Sequence, residues 1–209
     1  MSMVRARRRR RRATPAKGLT AAVLALLLAA IGIYYVGQYR QHMRYVQYPL
    51  RYEELIVRNA REFGLEPWHV AAVIRCESSF RPEAVSSVGA RGLMQIMPDT
   101  GEWLAGKFDE EDVYSDDLLF NPETNIKYGC WFLGWLNRRY EGDRLLVTAA
   151  YHAGHGTVDG WLEDEEISPD GKTLSSIPYA STRHYLEKIE RACEMYQELY
   201  DFSEAPDAG

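Results

Sequence analysis

The sequence predicts a mainly α-helical domain with minimal β-structure, preceded by one N-terminal transmembrane helix. Two features of the chain predict this fold class. An uncharged apolar stretch near the N-terminus is long enough to cross a bilayer, and beyond residue 53 the apolar residues recur three and four positions apart, as on one face of a helix. A chain of 209 residues has room for one ordinary domain of roughly 150 residues and extra segments.

The first forty residues combine a basic run with an apolar stretch. Residues 1–17 contain eight Lys or Arg and no acidic residue, and residues 18–39 are 22 uncharged residues rich in Leu, Ala, Ile and Val. An α-helix needs about 20 such residues to cross the bilayer core, and Lys and Arg stay on the cytoplasmic side. We therefore expect a basic cytoplasmic segment over residues 1–17 and a transmembrane anchor over residues 18–37.

A cleaved signal peptide is the main alternative, because it also has a basic segment followed by an apolar one. The apolar stretch here is longer than a signal peptide needs, and it continues into Tyr34, Tyr35 and Tyr39. Aromatic residues concentrate at the level of the lipid headgroups. We therefore expect an uncleaved, single-pass anchor in the plasma or inner membrane, with a cytoplasmic N-terminus and the rest of the chain outside the cytoplasm.

The remainder of the chain is strongly acidic. Residues 1–40 hold nine of the 25 basic residues and none of the 30 acidic ones, so residues 41–209 have sixteen basic residues and a formal net charge of −14. Binding of nucleic acid through neutralised phosphates is therefore not expected.

Three cysteines are spread along the domain, at Cys76, Cys130 and Cys193. They are too few and too far apart for a metal site of the CxxC type, and we expect neither a metal nor an organic cofactor. Outside the cytoplasm one pair can form a disulfide and leave one thiol. The alternative is that each cysteine is a small buried apolar residue.

The segment between the anchor and the domain is interpreted as a juxtamembrane spacer over residues 38–52, in which Pro49 ends any continued helix. A helix follows, and Gly64 marks its end. Pro67 suits the first turn of the next helix, whose apolar positions lead to Glu77.

Residues 86–98 contain spaced glycines and are interpreted as a loop. Further helices are predicted, in chain order, from Asp99 or Thr100, from Pro122, over residues 145–151 and over residues 181–200. Gly154 and Gly156 are expected to end the third of these helices. Residues 201–209 are expected to be a flexible tail.

One carboxylic acid stands out as a candidate catalytic group. Glu77 follows an apolar helical stretch and precedes Phe80, so we expect it to be partly buried. Burial raises the pKa of a carboxyl group, and an acid that stays protonated at neutral pH can donate a proton to the leaving oxygen of a glycosidic bond. Without its neighbours in the sequence, a single glutamate near a helix end would be interpreted as a solvated surface charge.

The sequence around Glu77 and farther along the chain resembles the lytic transglycosylase family with the soluble-type catalytic domain. The segments that carry the resemblance are ESSFRPEAV at residues 77–85, GARGLMQIMP at 89–98, AYHAGHG at 150–156 and STRHY at 181–185. The resemblance covers roughly residues 53–195. It implies a lysozyme-like fold, a lytic transglycosylase domain over residues 53–200, and an enzyme that cleaves the glycan strands of bacterial peptidoglycan.

The resemblance also implies roles for single residues, with Glu77 as the catalytic acid and base. The residues expected to contact the glycan are Ser78, Met94, Gln95, Tyr151, His152 and Tyr179. Tyr179 is included because it lies on a loop directly before the last motif. The glycines of the second motif are expected to let the backbone approach the ligand.

Two positions depart from the family pattern. His152 stands where the family has asparagine, and Ser181 stands where it has glutamate. His152 can still form hydrogen bonds, but it titrates near neutrality and adds pH sensitivity. A structural or surface substitution is the alternative explanation of His152. The absent carboxylate at position 181 is expected to weaken a supporting contact rather than the chemistry.

Retaining and inverting glycosidases normally use two carboxylates. No second carboxylate stands out here, since Glu83, Asp99 and Glu102 are interpreted as solvated charges of a loop or a helix cap. The resemblance implies instead that the 2-acetamido group of N-acetylmuramic acid (MurNAc) stabilises the cation while Glu77 protonates the leaving oxygen. Glu77 would then deprotonate the 6-hydroxyl of the same sugar, closing a 1,6-anhydro ring.

Two alternative functions stay open from the sequence. One is a lysozyme-like hydrolase that uses water in place of the 6-hydroxyl, and the other is an inactive glycan-binding scaffold in a cell-envelope assembly, which the changes at His152 and Ser181 favour. The expected partners are peptidoglycan glycan strands and, through the N-terminal helix, a membrane. Cell-envelope protein partners are not identified by the sequence. The five tryptophans suit sugar stacking and core packing alike, so none is assigned to a binding cleft.

Overall fold

A computed structural model describes residues 15–203, and of residues 15–18 and 21 it describes the backbone alone. The predicted basic segment lies mostly outside the described residues, as does most of the predicted tail. Residues 15–203 form eight α-helices and two short 3₁₀ helices. The helices are α1 (Pro15–Gln47), α2 (Glu53–Glu62), α3 (Pro67–Glu77), α4 (Pro98–Ala105), α5 (Pro122–Arg139), α6 (Arg144–Ala153), α7 (His155–Glu163) and α8 (Ala180–Leu199), with 3₁₀ helices at Glu111–Val113 and Asp116–Phe120.

The prediction of a mainly helical fold with minimal β-structure is confirmed. Pairing of β type within the described residues is restricted to two isolated antiparallel bridges, Val85 with Arg91 and Arg91 with Ile96. Apart from Val85, which directly precedes it, the bridged residues lie in the glycine-containing segment predicted to be a loop.

The chain divides into two compact units, Met1–Gln47 and Tyr48–Gly209. In the first unit, Ala22–Gln47 is 26 residues of helix and contains an 18-residue window with a mean hydropathy of 1.8, none of it buried. At 1.5 Å per residue this helix is about 39 Å long, enough for a hydrocarbon core of about 30 Å. By length and composition it can cross a membrane, although a signal sequence near an N-terminus has the same properties.

The segment predicted to be a spacer is divided between the two units. Its first part continues α1 to Gln47, and its last part belongs to the second unit. There the hydroxyl of Tyr196 donates a hydrogen bond to the carbonyl of Pro49 at 2.8 Å, and the hydroxyl of Tyr200 donates to the carbonyl of Tyr48 at 2.8 Å. Both tyrosines come from α8 or its end, so the C-terminal helix fixes the start of the domain.

Helix α3 lies in the core of the second unit. It begins with Pro67, whose missing N–H costs nothing in a first helical turn, and its central residues 70–74 are almost completely buried. A helix that is apolar on all sides must be covered by its neighbours. Its main neighbours are α8 and α2, and Glu77 is its last residue.

Two helix boundaries differ from the sequence prediction. Helix α4 begins at Pro98, and neither Asp99 nor Thr100 caps it, because the N-cap position is Met97 and both residues lie inside the first turn. Helix α7 was not predicted at all. Gly154 has φ of 87°, which turns the chain after α6, and the helix resumes at the next residue. Gly156 therefore lies inside α7 instead of ending the preceding helix.

Candidate active site

The carboxyl group of Glu77 lies half-buried at the end of α3, next to α8. Its Oε1 atom accepts a hydrogen bond of 2.6 Å from the hydroxyl of Tyr185. Burial raises the pKa of Glu77 to about 7, against the opposing effects of the Tyr185 hydrogen bond and the Lys188 charge. A carboxyl group with this pKa is partly protonated at neutral pH and can act as a general acid.

The backbone after Glu77 explains why α3 ends there. Ser79 and Phe80 both have left-handed conformations, with φ of 54° and 60°. Such a conformation is rare for non-glycine residues and costs free energy, especially for a bulky side chain. Phe80 is fully buried, so packing of its ring holds the turn in place. The chain therefore leaves the helix immediately after the carboxyl group.

Tyr185 fixes which oxygen of Glu77 carries the acid proton. Because Oε1 accepts the tyrosine hydrogen, the proton of the neutral acid is favoured on Oε2. Burial and the Glu77 charge keep the pKa of Tyr185 well above its usual range, so the phenol remains a donor. Tyr185 is the last residue of the STRHY segment and was not among the predicted site residues.

Tyr151 connects α6 to the loop of the second motif. Its hydroxyl donates to the backbone carbonyl of Met94 at 2.7 Å. Burial, and after it the Glu77 carboxylate, raise the pKa of Tyr151 well above the usual value for tyrosine. The phenol of Tyr151 therefore stays protonated and lies within the electrostatic reach of Glu77.

The loop of the second motif is held by a buried amide from α5. Asn125 is completely buried, and its Oδ1 accepts from the backbone N–H of Met94 at 2.7 Å. Its Nδ2 donates to the carbonyls of Arg91 at 3.1 Å and Leu119 at 2.7 Å. The side chain thus satisfies three backbone groups that would otherwise be unpaired in the interior.

Gly92 is required by the packing of this loop. Its φ is 78°, and a Cβ atom there would lie 2.1 Å from the carbonyl oxygen of Leu119 and 2.2 Å from Nδ2 of Asn125. Any side chain would displace the backbone or the amide that holds the loop. Gln95, farther along, has φ of 51°, and its Nε2 donates to the carbonyls of Ala84 and Gly92.

His152 follows Tyr151 on α6 and lies exposed against α8. Its Nδ1 atom is 3.1 Å from Oγ1 of Thr182, and its ring centroid is 4.5 Å from that of Tyr185. Partial burial, and then the charge of Lys188, lower the pKa of His152. His152 is therefore in direct contact with Tyr185, the tyrosine that donates a hydrogen bond to Glu77.

A cleft of about 660 Å³ opens beside these residues, and its wall is largely aromatic. Among the residues that line it are Trp103, Phe132, Trp135, Tyr151, His152 and His155. Glu77 is not one of the lining residues. Glu77 is connected to the wall through Tyr185. The Tyr185 hydroxyl donates a hydrogen bond to Glu77, and the Tyr185 ring contacts His152, which lines the cleft.

The aromatic residues of the cleft form a continuous set of ring contacts. Phe132 and Trp135 are stacked with centroids 5.9 Å apart, and Phe132 lies 5.7 Å from Tyr151. Trp103 meets Trp135 at 6.0 Å in an edge-on arrangement and keeps 40% of its surface exposed. The aromatic surface therefore extends from Tyr151 to Trp103.

The remaining predicted residues lie in different environments. Ser78 is buried, and its hydroxyl donates to the carbonyl of Ile74 at 3.3 Å, so this side chain supports the end of α3 and does not face the cleft. The side chain of Met94 is also fully buried, and only its backbone takes part in the site. Tyr179 is 53% exposed, packs edge-on against Trp161 at 5.2 Å, and does not line the cleft.

Sequence reasoning missed several residues of the site. Tyr185 had a signal, since it ends a motif that was identified, whereas His155 and the cleft tryptophans had none beyond aromatic character. Asp99, interpreted from the sequence as a solvated charge, lines the cleft. The three cysteines are unpaired, with Cys130 and Cys193 buried, and burial raises the pKa of Cys76 to about 11. These thiols are therefore poor nucleophiles.

Comparison with known proteins agrees with the motifs. Residues 54–173 match the model of the Transglycosylase SLT domain. The chain is 35% identical over 144 residues to the soluble lytic murein transglycosylase of Salmonella typhimurium, and the match covers 68% of this chain and 22% of that protein. It is 31% identical over 166 residues to the membrane-bound lytic murein transglycosylase C of Actinobacillus pleuropneumoniae, covering 70% of this chain and 46% of that protein.

Solved structures show the same relationship. The 70 kDa soluble lytic transglycosylase of Escherichia coli superposes with a TM-score of 0.66 and 30% identity, over 74% of this chain and 25% of that chain. The 70 kDa soluble lytic transglycosylase in complex with bulgecin A superposes with a TM-score of 0.67 and 31% identity, over 74% of this chain and 25% of that chain. The lysozyme-like fold implied by the motifs is therefore confirmed. Because the family model matches more than half of the sequence, the chain belongs to the transglycosylase SLT domain family.

Proposed function

We propose that this chain is a membrane-anchored peptidoglycan lytic transglycosylase, which cleaves the β-1,4 bond between MurNAc and N-acetylglucosamine and leaves a 1,6-anhydroMurNAc end. The observation that carries the proposal is the environment of Glu77. Its burial raises the pKa to about 7, and Tyr185 binds one of its oxygens. One residue can therefore be an acid before bond cleavage and a base after it.

In the proposed reaction, Oε2 of Glu77 gives its proton to the leaving oxygen of N-acetylglucosamine while the 2-acetamido group of MurNAc stabilises the cation. The resulting carboxylate then takes the proton of the 6-hydroxyl, whose oxygen attacks the anomeric carbon. Tyr185 stabilises this carboxylate through its hydrogen bond. A related structure supports the role of a glutamate, since lytic transglycosylase Slt from Pseudomonas aeruginosa is inactive as a glutamate-to-glutamine mutant.

The aromatic cleft is the proposed binding site for the glycan strand on one side of Glu77. Its volume of about 660 Å³ lies within the range of about 300–1,000 Å³ typical of ligand sites. The exposed face of Trp103 suits the apolar face of a sugar ring. Tyr151, His152 and Gln95 are the proposed polar contacts nearest the acid, and Tyr179 extends the surface beyond the cleft.

Membrane anchoring is proposed from α1. The helix Ala22–Gln47 contains an apolar 18-residue window with no buried part, and a relative in Actinobacillus pleuropneumoniae is a membrane-bound lytic murein transglycosylase. The basic residues before it favour a cytoplasmic N-terminus and a single crossing, which places the SLT domain outside the cytoplasm. Peptidoglycan lies on that side.

The role of Glu77 is tested with the full chain in detergent and purified peptidoglycan. We expect the wild-type chain to release soluble fragments and Glu77→Gln to release at least 1,000-fold less, because the acid and base steps are lost together. Glu83→Gln is the matched control, since this exposed carboxyl group lies outside the cleft. Equal release by wild type and Glu77→Gln would remove Glu77 from the mechanism.

A hydrolase is the second candidate, and one observation favours it. Asp99 lines the cleft and supplies a second carboxylate that could activate water. In that case Asp99→Asn abolishes cleavage, whereas in the proposed mechanism it changes only binding. Fragment release by Asp99→Asn at saturating substrate therefore separates the two mechanisms.

A further inference from the structure

The two ring nitrogens of His152 have different surroundings. Nδ1 is 3.1 Å from Oγ1 of Thr182, a residue that is completely buried at the start of α8. The ring is exposed and lines the cleft. Within residues 15–203, Nε2 has no hydrogen-bond partner from the protein. The geometry thus holds the ring at one nitrogen and presents the other to the cleft.

The ring of His152 is also connected to the catalytic acid. Its centroid is 4.5 Å from the Tyr185 ring with 31° between the planes, and the Tyr185 hydroxyl donates to Glu77 at 2.6 Å. Three helices meet in this arrangement, with His152 on α6, Tyr185 on α8 and Glu77 on α3. A charge on the histidine ring would therefore lie directly against the tyrosine that stabilises the carboxylate.

The groups around His152 disfavour a second positive charge. From α8, Lys188 lowers the pKa of His152 and also that of Glu77. Glu77 on α3 and Tyr151 beside the ring on α6 are its other titratable neighbours, and His155 lines the same cleft from α7. Asp99 on α4 also lines this cleft, but burial and Lys188 are what set the pKa of His152, and both lower it. The neutral ring is accordingly the form that suits the acid form of Glu77.

Resting on the proposed function, we propose that neutral His152 is a substrate-positioning residue whose Nε2 accepts a hydrogen bond from a hydroxyl or amide N–H of the glycan. The proposal requires the tautomer in which Nδ1–H donates to the hydroxyl of Thr182, which leaves the lone pair on Nε2. Protonation at Nε2 removes the acceptor and places a charge beside Tyr185, which favours the carboxylate form of Glu77 and so reduces the fraction of Glu77 that holds a proton to donate. The enzyme therefore loses activity as this ring becomes charged.

Histidine at position 152 differs from the expected asparagine as a hydrogen-bond acceptor. An asparagine amide oxygen is an acceptor at every pH, whereas Nε2 of histidine is an acceptor only when the ring is neutral. The substitution keeps the contact and adds a dependence on pH. His155 also lines the cleft, but its ring contacts Trp135, with centroids 5.1 Å apart, and not Tyr185. It is therefore not connected to Glu77 in the way that His152 is.

The pH dependence of kcat/KM for peptidoglycan cleavage by the full chain in detergent tests the proposal. We expect a bell-shaped profile in wild type, with an acid limb from His152 and an alkaline limb from Glu77. His152→Asn should keep the alkaline limb and lose the acid one. One pH unit below the midpoint of the wild-type acid limb, kcat/KM as a fraction of its own maximum should be about tenfold higher in His152→Asn than in wild type. His184→Asn is the matched control, since His184 is exposed on α8 outside the cleft and should leave the profile unchanged.

An unchanged acid limb in His152→Asn would overturn the proposal. Titration of the His152 ring by NMR in the wild-type chain gives a second test that needs no substitution: its midpoint should coincide with the acid limb, and a difference of more than one pH unit would contradict the assignment. Circular dichroism at each pH shows that the domain stays folded. Absence of anhydro products from wild type at every pH would refute the proposed function itself, which distinguishes that failure from this one.

Discussion

The hydroxyl of Tyr185 lies 2.6 Å from Oε1 of Glu77, although the two residues are 108 positions apart in the sequence. The contact joins the last residue of the buried helix α3 to the C-terminal helix α8. It binds the carboxylate form of the acid, while burial favours the neutral form. The pKa of Glu77 is thus set by the packing of two helices, and single substitutions in either helix should move it.

Removal of the Tyr185 donor should raise the pKa of Glu77 further. In Tyr185→Phe the carboxylate loses its hydrogen bond, so the alkaline limb of the pH profile should move upward by about one unit. The rate at neutral pH should fall by roughly 10–100-fold, because the carboxylate formed after proton donation is less stable. Tyr200→Phe, which removes a hydroxyl bonded to Tyr48 far from the site, serves as control. An alkaline limb that stays in place in Tyr185→Phe would contradict the assignment of that limb to Glu77.

Glu77 should lower the stability of the domain at alkaline pH. Its pKa of about 7 in the folded state exceeds the ordinary value of 4.5, so the folded state holds the proton more tightly and the free energy of unfolding falls as pH rises from 4.5 through 7. The loss is at most about 3 kcal/mol. Glu77→Gln should therefore be more stable than wild type at pH 8 by about 1–3 kcal/mol, and equally stable at pH 4.5. Urea denaturation measures both, and equal stability at pH 8 would show that the carboxylate is not destabilised by burial.

His69 should have the opposite effect in the acid range. Burial, and then the charge of Arg144, lower its pKa to about 4. The unfolded chain binds a proton near pH 6.5, so the stability contributed by neutral His69 is complete above that pH and is lost as pH falls towards 4, by at most about 3 kcal/mol. His69→Gln should therefore lose less stability than wild type between pH 7 and pH 4.5. If both chains lost the same free energy of unfolding, another group would be responsible.

Asn125 should stabilise the conformation of the loop that contains the second motif. Its side chain pairs with three backbone groups and is completely buried, so Asn125→Ala should lower the free energy of unfolding by about 2–4 kcal/mol. Activity should fall as well, since the carbonyl of Met94 would no longer be fixed for Tyr151. Asn137→Ala, a half-buried position on the same helix, should change stability by less than about 0.5 kcal/mol. Similar unfolding free energies for the two variants would show that the Asn125 network contributes little.

The residues found from the sequence were those that lie in short ordered motifs. Glu77 and Tyr151 could be selected because motif spacing places them, whereas the role of Tyr185 depends on where α8 crosses the end of α3. Trp103 and Trp135 have helical spacing that suits either a core or a cleft. Their exposure depends on how α4 and α5 pack against each other, which the local sequence does not determine.

Glycine had two uses that the sequence did not distinguish. Gly154 was predicted to end a helix, which is confirmed, and its φ of 87° also turns the chain so that α7 begins at the next residue. Gly92 was expected to let the backbone approach a ligand, and the structure shows a further reason for glycine there, the close approach of Leu119 and Asn125 inside the domain. In both cases the pattern indicated an unusual backbone, and only the tertiary contacts showed what needed it.

The products of the wild-type chain show most directly whether the 6-hydroxyl or water attacks the anomeric carbon. Peptidoglycan digested by the full chain in detergent is separated and its muropeptides are weighed by mass spectrometry. Intramolecular attack by the 6-hydroxyl predicts 1,6-anhydroMurNAc ends, which are lighter than hydrolysed ends by one water. Products with reducing MurNAc ends alone would contradict the proposed intramolecular mechanism and identify the chain as a hydrolase.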